Sequence, residues 1–95
     1  MSTALPPVPP SDSLIEYPCL FPIKVMGEQV PGFEEAVVKV AEHFDPSFDR
    51  QRLERRPSST GKYLGLTVVV TATSREQLDE LYRTLSTHPM VKVVL

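Results

Sequence analysis

The hydrophobic and polar positions change period several times along the chain, and each change marks an element. Phe21, Ile23 and Val25 alternate with Pro22, Lys24 and Met26, the period of two that places one side-chain set on each face of a strand. Gly27 is expected to close this first strand. Phe33, Val37, Val40, Ala41 and Phe44 then fall at offsets 0, 4, 7, 8 and 11, one stripe of an amphipathic helix. Pro31 suits the first turn, Glu34 and Glu35 suit the positive end, Glu35 has Lys39 one turn on, and Pro46 sets a stop at Phe44 or Asp45.

The segment QRLERRP is charged and reads as a short edge strand, since charge on an edge blunts pairing with other chains. Tyr63 to Ala72 is long and β-branched, with Leu64, Leu66, Val68, Val70 and Ala72 on one face and Tyr63, Gly65, Thr67, Val69 and Thr71 on the other. Ser74 followed by Gln77 forms a capping box, and Leu78, Leu81, Tyr82 and Leu85 trace a second helical stripe ended by His88 and Pro89. MVKVVL is the last strand.

The order β, α, β, β, α, β predicts an α+β, ferredoxin-like split βαβ fold: a four-stranded antiparallel sheet with two helices on one face. Right-handed crossovers put the first and third strands in the centre. One sheet face is then left without helices, and it is expected to carry Lys24, Met26, Tyr63, Gly65, Thr67, Val69 and Thr71, with Lys92 and Val94 from the last strand. Its mixture of apolar and hydroxyl groups fits neither a solvated nor a buried face, which makes it a candidate interaction face.

Composition narrows the remaining choices. Ninety-five residues, 41% hydrophobic and 23% charged, allow one core and one domain, here residues 15–95. Residues 1–14 carry Pro6, Pro7, Pro9 and Pro10 of the chain's ten prolines and no apolar period, so they are expected to be a disordered tail. Such a tail can serve as a polyproline II ligand, and a plain extension is the simpler account. A net charge of −2 supplies no global attraction to nucleic acid or an anionic membrane, and no apolar run is long enough to span a bilayer. The single cysteine, Cys19, forms no internal disulfide, and no secretory leader is visible; a cytoplasmic location is expected.

Site chemistry is sparse. Arg52, Arg55, Arg56 and Lys62, with Arg50 beside them, form a local positive cluster and a candidate anion contact, although a solvated, charged edge explains it as well. PSSTGKY resembles part of a phosphate loop. The full pattern needs glycine where Arg56 stands and a hydroxyl residue where Tyr63 stands, so Ser58, Ser59 and Thr60 read as a turn. The third strand offers only Tyr63 for stacking a base, and RNA binding is not expected. His43, His88 and Cys19 have no neighbours at ligand spacing. No catalytic centre, metal or cofactor is expected.

FPIKVMG, PSSTGKYLGLTVVVTATSREQLDELYRTL and HPMVKVVL together resemble the YbeD-like family of small bacterial proteins, a domain of unknown function, over about residues 15 to 95. The resemblance implies a fold similar to the ACT regulatory domains of amino-acid metabolism, and no known activity. If the likeness extends to ligand binding, it implies a ligand loop at Met26, Gly27, Glu28 and Gln29, where glycine permits close backbone approach and the next helix offers free amides. A chain of this length brings no enzyme domain to regulate. Two functional expectations follow: a free-standing sensor of a small metabolite, or an adaptor that meets a protein partner or a second copy of itself through the open sheet face or an edge strand.

Overall fold

The computed structural model describes residues 16–95, so the proline-rich tail lies outside the described residues. The elements are β1 (Cys19–Glu28), α1 (Phe33–Phe44), a 3-10 turn (Arg50–Arg52), β2 (Glu54–Pro57), β3 (Tyr63–Ala72), α2 (Arg75–Ser86) and β4 (Val91–Val94). They form one antiparallel sheet in the order β2-β3-β1-β4, the ferredoxin-like arrangement, with β1 and β3 central.

The central ladder follows the alternation of its two sequences. Phe21 lies opposite Val70, Ile23 opposite Val68 and Val25 opposite Leu66 on the inner face; Pro22 faces Val69, Lys24 faces Thr67 and Met26 faces Gly65 on the outer. Ile23, Val68 and Val70 are fully buried beneath Phe33, Val37, Val38 and Ala41 of α1 and Leu81 and Leu85 of α2. Each such side chain contributes roughly 1.5–3 kcal/mol by leaving water. Phe48 and Leu53 close the core on the β2 side. Val38, which the expected stripe omits, is buried, while Val40 and Phe44 lie at its margin.

The helix ends differ in detail from expectation. Gly32, at φ +92°, is the N-cap of α1, so Pro31 precedes the helix instead of opening it. Ser74 caps α2 by accepting the Gln77 N–H at 3.0 Å. The Gln77 side chain accepts from Thr73 N–H at 2.7 Å and donates from Nε2 to the carbonyls of Phe44 (2.9 Å) and Thr71 (3.2 Å). One glutamine thus ties the end of α1, the end of β3 and the start of α2.

Two expectations about the strands are corrected. Gly27 does not close β1; the strand runs on to Glu28, and Gly27 is buried within it. Val94 does not join the open face. Gly27 pairs with Val91 but Met26 pairs with Val93, a one-residue shift that marks a β-bulge. The inserted residue moves Val94 opposite the buried Val25 and against the core. Val93 and Leu95 take the outward positions in its place.

Candidate interaction surface

The outer face of the sheet is built from rows of directly opposed residues, which share a face in an antiparallel pair. Arg56, Gly65, Met26 and Val93 make one row across β2, β3, β1 and β4. Glu54, Thr67 and Lys24 make the next, completed by Leu95, which exchanges backbone hydrogen bonds with Lys24 at 2.8 and 3.2 Å. Val69 opposite Pro22, then Thr71 opposite Leu20, extend the face at one end; Tyr63 opposite Glu28 extends it at the other. Lys24, Met26, Tyr63, Thr67, Val69 and Thr71 therefore lie together on this face.

Its exposed apolar groups are unusual for a solvated sheet. Leu20 is 58% exposed, Met26 45%, Val93 45% and Leu95 72%. Lys24 and Arg56 have no ion-pair partner among the described residues, and Lys92 stands 4.0 Å from Glu28 at the rim. Met26, Val93 and Leu95 adjoin on the β1–β4 side, while Lys24 stands between Met26 and Leu20 on the central strand. Exposed apolar groups gathered on one face with a few charges among them mark a candidate contact surface.

The expected ligand loop is differently disposed. Met26, Gly27 and Glu28 belong to β1, and only Gln29 follows it, donating its N–H to the Lys62 carbonyl at 2.8 Å. The space beside Gly27 is filled: an added Cβ would lie 2.5 Å from the Phe33 ring and overlap the Met90 carbonyl oxygen. Close backbone approach at this glycine is used by the core. A shallow depression of about 200 Å³ lies nearby between Glu28, Val30, Met90 and Lys92.

The arginines are divided between two tasks. Arg55 on β2 makes a bidentate pair with Glu34 of α1, at 2.5 and 2.7 Å. Arg50 bridges Glu35 and Glu42, at 3.0 Å to each, so Glu35 pairs with Arg50 where Lys39 was expected. Hydrogen bonding to these guanidinium groups, outweighing desolvation, holds the Glu34 and Glu35 carboxyls below the usual carboxylate range. Arg55 is thus tied to helix α1 by an ion pair that is still exposed to solvent. Arg52 is 3.9 Å from Asp49, and it lines a second depression of about 320 Å³ with Asp45, Phe48, Leu20 and Val69. Arg56 projects from the edge strand on the open face, while the Lys62 ammonium lies 5.5 Å above the ring of Tyr63. The Ser58–Gly61 turn is closed by its own hydrogen bonds, Gly61 N–H to Ser58 carbonyl at 2.9 Å and Tyr63 N–H to the Ser58 hydroxyl at 3.1 Å.

Asp45 is the site residue that pattern reading missed. It is only 5% exposed at the end of α1. One carboxylate oxygen accepts from the Ser47 N–H (3.0 Å) and hydroxyl (2.6 Å), and the other from the Thr71 N–H (2.8 Å). Burial pushes the carboxyl upward, but the Ser47 and Thr71 donors outweigh it and hold it below its ordinary value. The sequence signal, Asp-Pro-Ser after an amphipathic run, is that of an ordinary helix stop. No group of His, Cys, Asp and Glu side chains among the described residues could hold a metal ion, and no described helix is long and apolar enough to cross a membrane.

The fold and this face define a small α+β domain of ACT-like architecture. The chain belongs to the family described as Protein of unknown function (DUF493), whose profile matches residues 12–95. It is 65% identical over 88 residues to a UPF0250 protein of Leptothrix cholodnii, covering 93% of this chain and 97% of that one. A UPF0250 protein of Ralstonia nicotianae is 63% identical over 90 residues, covering 95% and 93%. Among solved structures, an H. pylori protein matches with a TM-score of 0.71 at 21% identity over 85% of each chain. The ACT domain from GTP pyrophosphokinase of Chlorobium tepidum matches with a TM-score of 0.63 at 16% identity over 81% of this chain and 83% of that one. These last two likenesses concern the fold.

Proposed function

We propose that the protein is a non-catalytic interaction module whose contact surface is the helix-free sheet face, and that its partner is another polypeptide. The observation that carries this reading is the gathering of Leu20, Met26, Val93 and Leu95, all well exposed, on that one face. Apolar side chains left in water on one face lose little freedom and gain burial when a second surface covers them. The metabolite-sensor reading is weaker here, because the stretch it needs, Met26 to Glu28, is strand and the space at Gly27 is occupied by Phe33 and Met90.

The experiment is site-specific photo-crosslinking in cells, with the reactive side chain at Met26 and, as control, at Lys39 on the exposed surface of α1. A polypeptide adduct at Met26 that is absent at Lys39 supports the proposal. No adduct at Met26, together with saturable amide shifts at residues 26–29 when the protein is titrated with pooled amino acids and organic acids, overturns it in favour of the sensor.

A further inference from the structure

We propose that β4 pairs antiparallel with β4 of a second copy of this chain across a two-fold axis at Val94, extending the sheet. This rests on the interaction reading above and names the partner. It starts from a difference between the two edges of the sheet. β2 presents Glu54, Arg55, Arg56 and Pro57, all exposed; charges and a residue without an N–H protect that edge from pairing. β4 presents Val91, Lys92, Val93 and Val94, and its one charge leans toward Glu28 on β1. Among the described residues, no element lies outside β4 in the sheet order.

The hydrogen-bond pattern selects the axis. Leu95 exchanges both backbone bonds with Lys24. In an antiparallel ladder the neighbouring residue then turns its N–H and C=O the other way, so those of Val94 point off the open edge. A two-fold axis beside Val94 lets the two copies exchange these bonds and sets Val93 of each opposite Leu95 of the other. Both residues are on the open face, so the Met26, Val93 and Leu95 clusters of the two copies become one apolar strip. The same register keeps Lys92 of one copy from standing opposite Lys92 of the other, which a two-fold axis at Lys92 would force. The surface is therefore self-complementary in hydrogen bonding and apolarity and sets no like charges opposite each other, as a closed two-fold contact requires.

Sedimentation equilibrium of the whole chain from about 10 μM to about 1 mM, the span in which a weak contact shows itself, tests the pairing. A concentration-dependent dimer is expected. Val93→Lys should raise its dissociation constant about tenfold or more, while Leu20→Lys, at the far end of the same face, should leave it within about twofold. Amide spectra of both variants report whether the fold is retained. In a mixed labelled sample, cross-peaks between the Val94 amide of one copy and Val94 of the other are expected, and they test the axis without any substitution. A monomer at every concentration overturns the proposal, and so does a dimer that Leu20→Lys dissolves and Val93→Lys does not. The Met26 crosslink decides the interaction reading separately, because an adduct with a different polypeptide would sustain that reading after the self-pairing had failed.

Discussion

The carboxylate of Asp45 accepts the backbone N–H of Thr71 at 2.8 Å, joining the residue that caps α1 to a residue of β3 that β2 does not reach. β2 pairs with β3 only from Leu64 to Thr67. Beyond that point the outer side of β3 would be bare, and there Asp45 takes the Thr71 N–H while Gln77 donates to the Thr71 carbonyl at 3.2 Å. Two side chains from the helix layer thus do the work of a missing strand, and the part-buried backbone groups of Thr71 are satisfied.

Replacing Asp45 by Ala should destabilise the domain by about 2–4 kcal/mol, because three donors lose a charged acceptor in a nearly closed site. Urea denaturation measures it. Ser47→Ala, which removes one of those donors, should cost about 1 kcal/mol.

Asp45 and Gln77 should behave as a coupled pair, since both hold Thr71. A double-mutant cycle with Asp45→Ala and Gln77→Ala is expected to give an interaction energy of about 0.5 kcal/mol or more. Strict additivity would mean that the N–H and the carbonyl of Thr71 are held independently.

Stability should fall in acid. Asp45 and Glu34 have folded-state pKa values lowered from their ordinary ones, so the stability they contribute is fully present above the unfolded-state values near about 4. It is lost as the pH drops through the lowered folded values. A plot of unfolding free energy against pH should be flat on this account from 7 to about 5 and decline below about 4. Asp45→Asn should make the decline shallower, and Glu34→Gln should change it less, because its pair with Arg55 is exposed to solvent.

Gly27→Ala should be severe, costing about 2 kcal/mol or more by overpacking, since Phe33 and the Met90 backbone would have to move. Gly65→Ala places its Cβ 3.5 Å from the Arg56 carbonyl, an ordinary contact, and should change stability by less than about 1 kcal/mol. Thermal unfolding of the two variants side by side makes the comparison. Similar losses would mean that Gly27 is not held by close packing.

The readable parts of this protein were those whose cause is local. Alternation of Phe21, Ile23 and Val25, and of Leu64 to Ala72, specifies two long strands and which of their faces is buried, because successive side chains of a strand point in opposite directions whatever surrounds them. The same reasoning places Lys24, Met26, Thr67 and Val69 together. It failed at β4, where VKVV is apolar enough for either register and a bulge opposite Met26 and Gly27 decided that Val94 turns inward. It also failed for charge. A cluster of arginines between residues 50 and 56 looks cationic in the sequence, but folding brings Glu34, Glu35 and Glu42 against Arg50 and Arg55 from 8 to 21 positions away.

By itself, then, the order and periodicity of the residues determined the βαββαβ chain path, the helix cap at Ser74 and the core positions on β1, β3 and α2, while Val38, Phe48 and Leu53 joined the core only in the folded chain. Tertiary structure alone decided the register of the last strand, the neutralised arginines, the filled space beside Gly27 and the burial of Asp45. Each depends on residues distant in sequence meeting at fixed geometry, and no local pattern encodes which partner a flexible arginine or a short apolar strand will find.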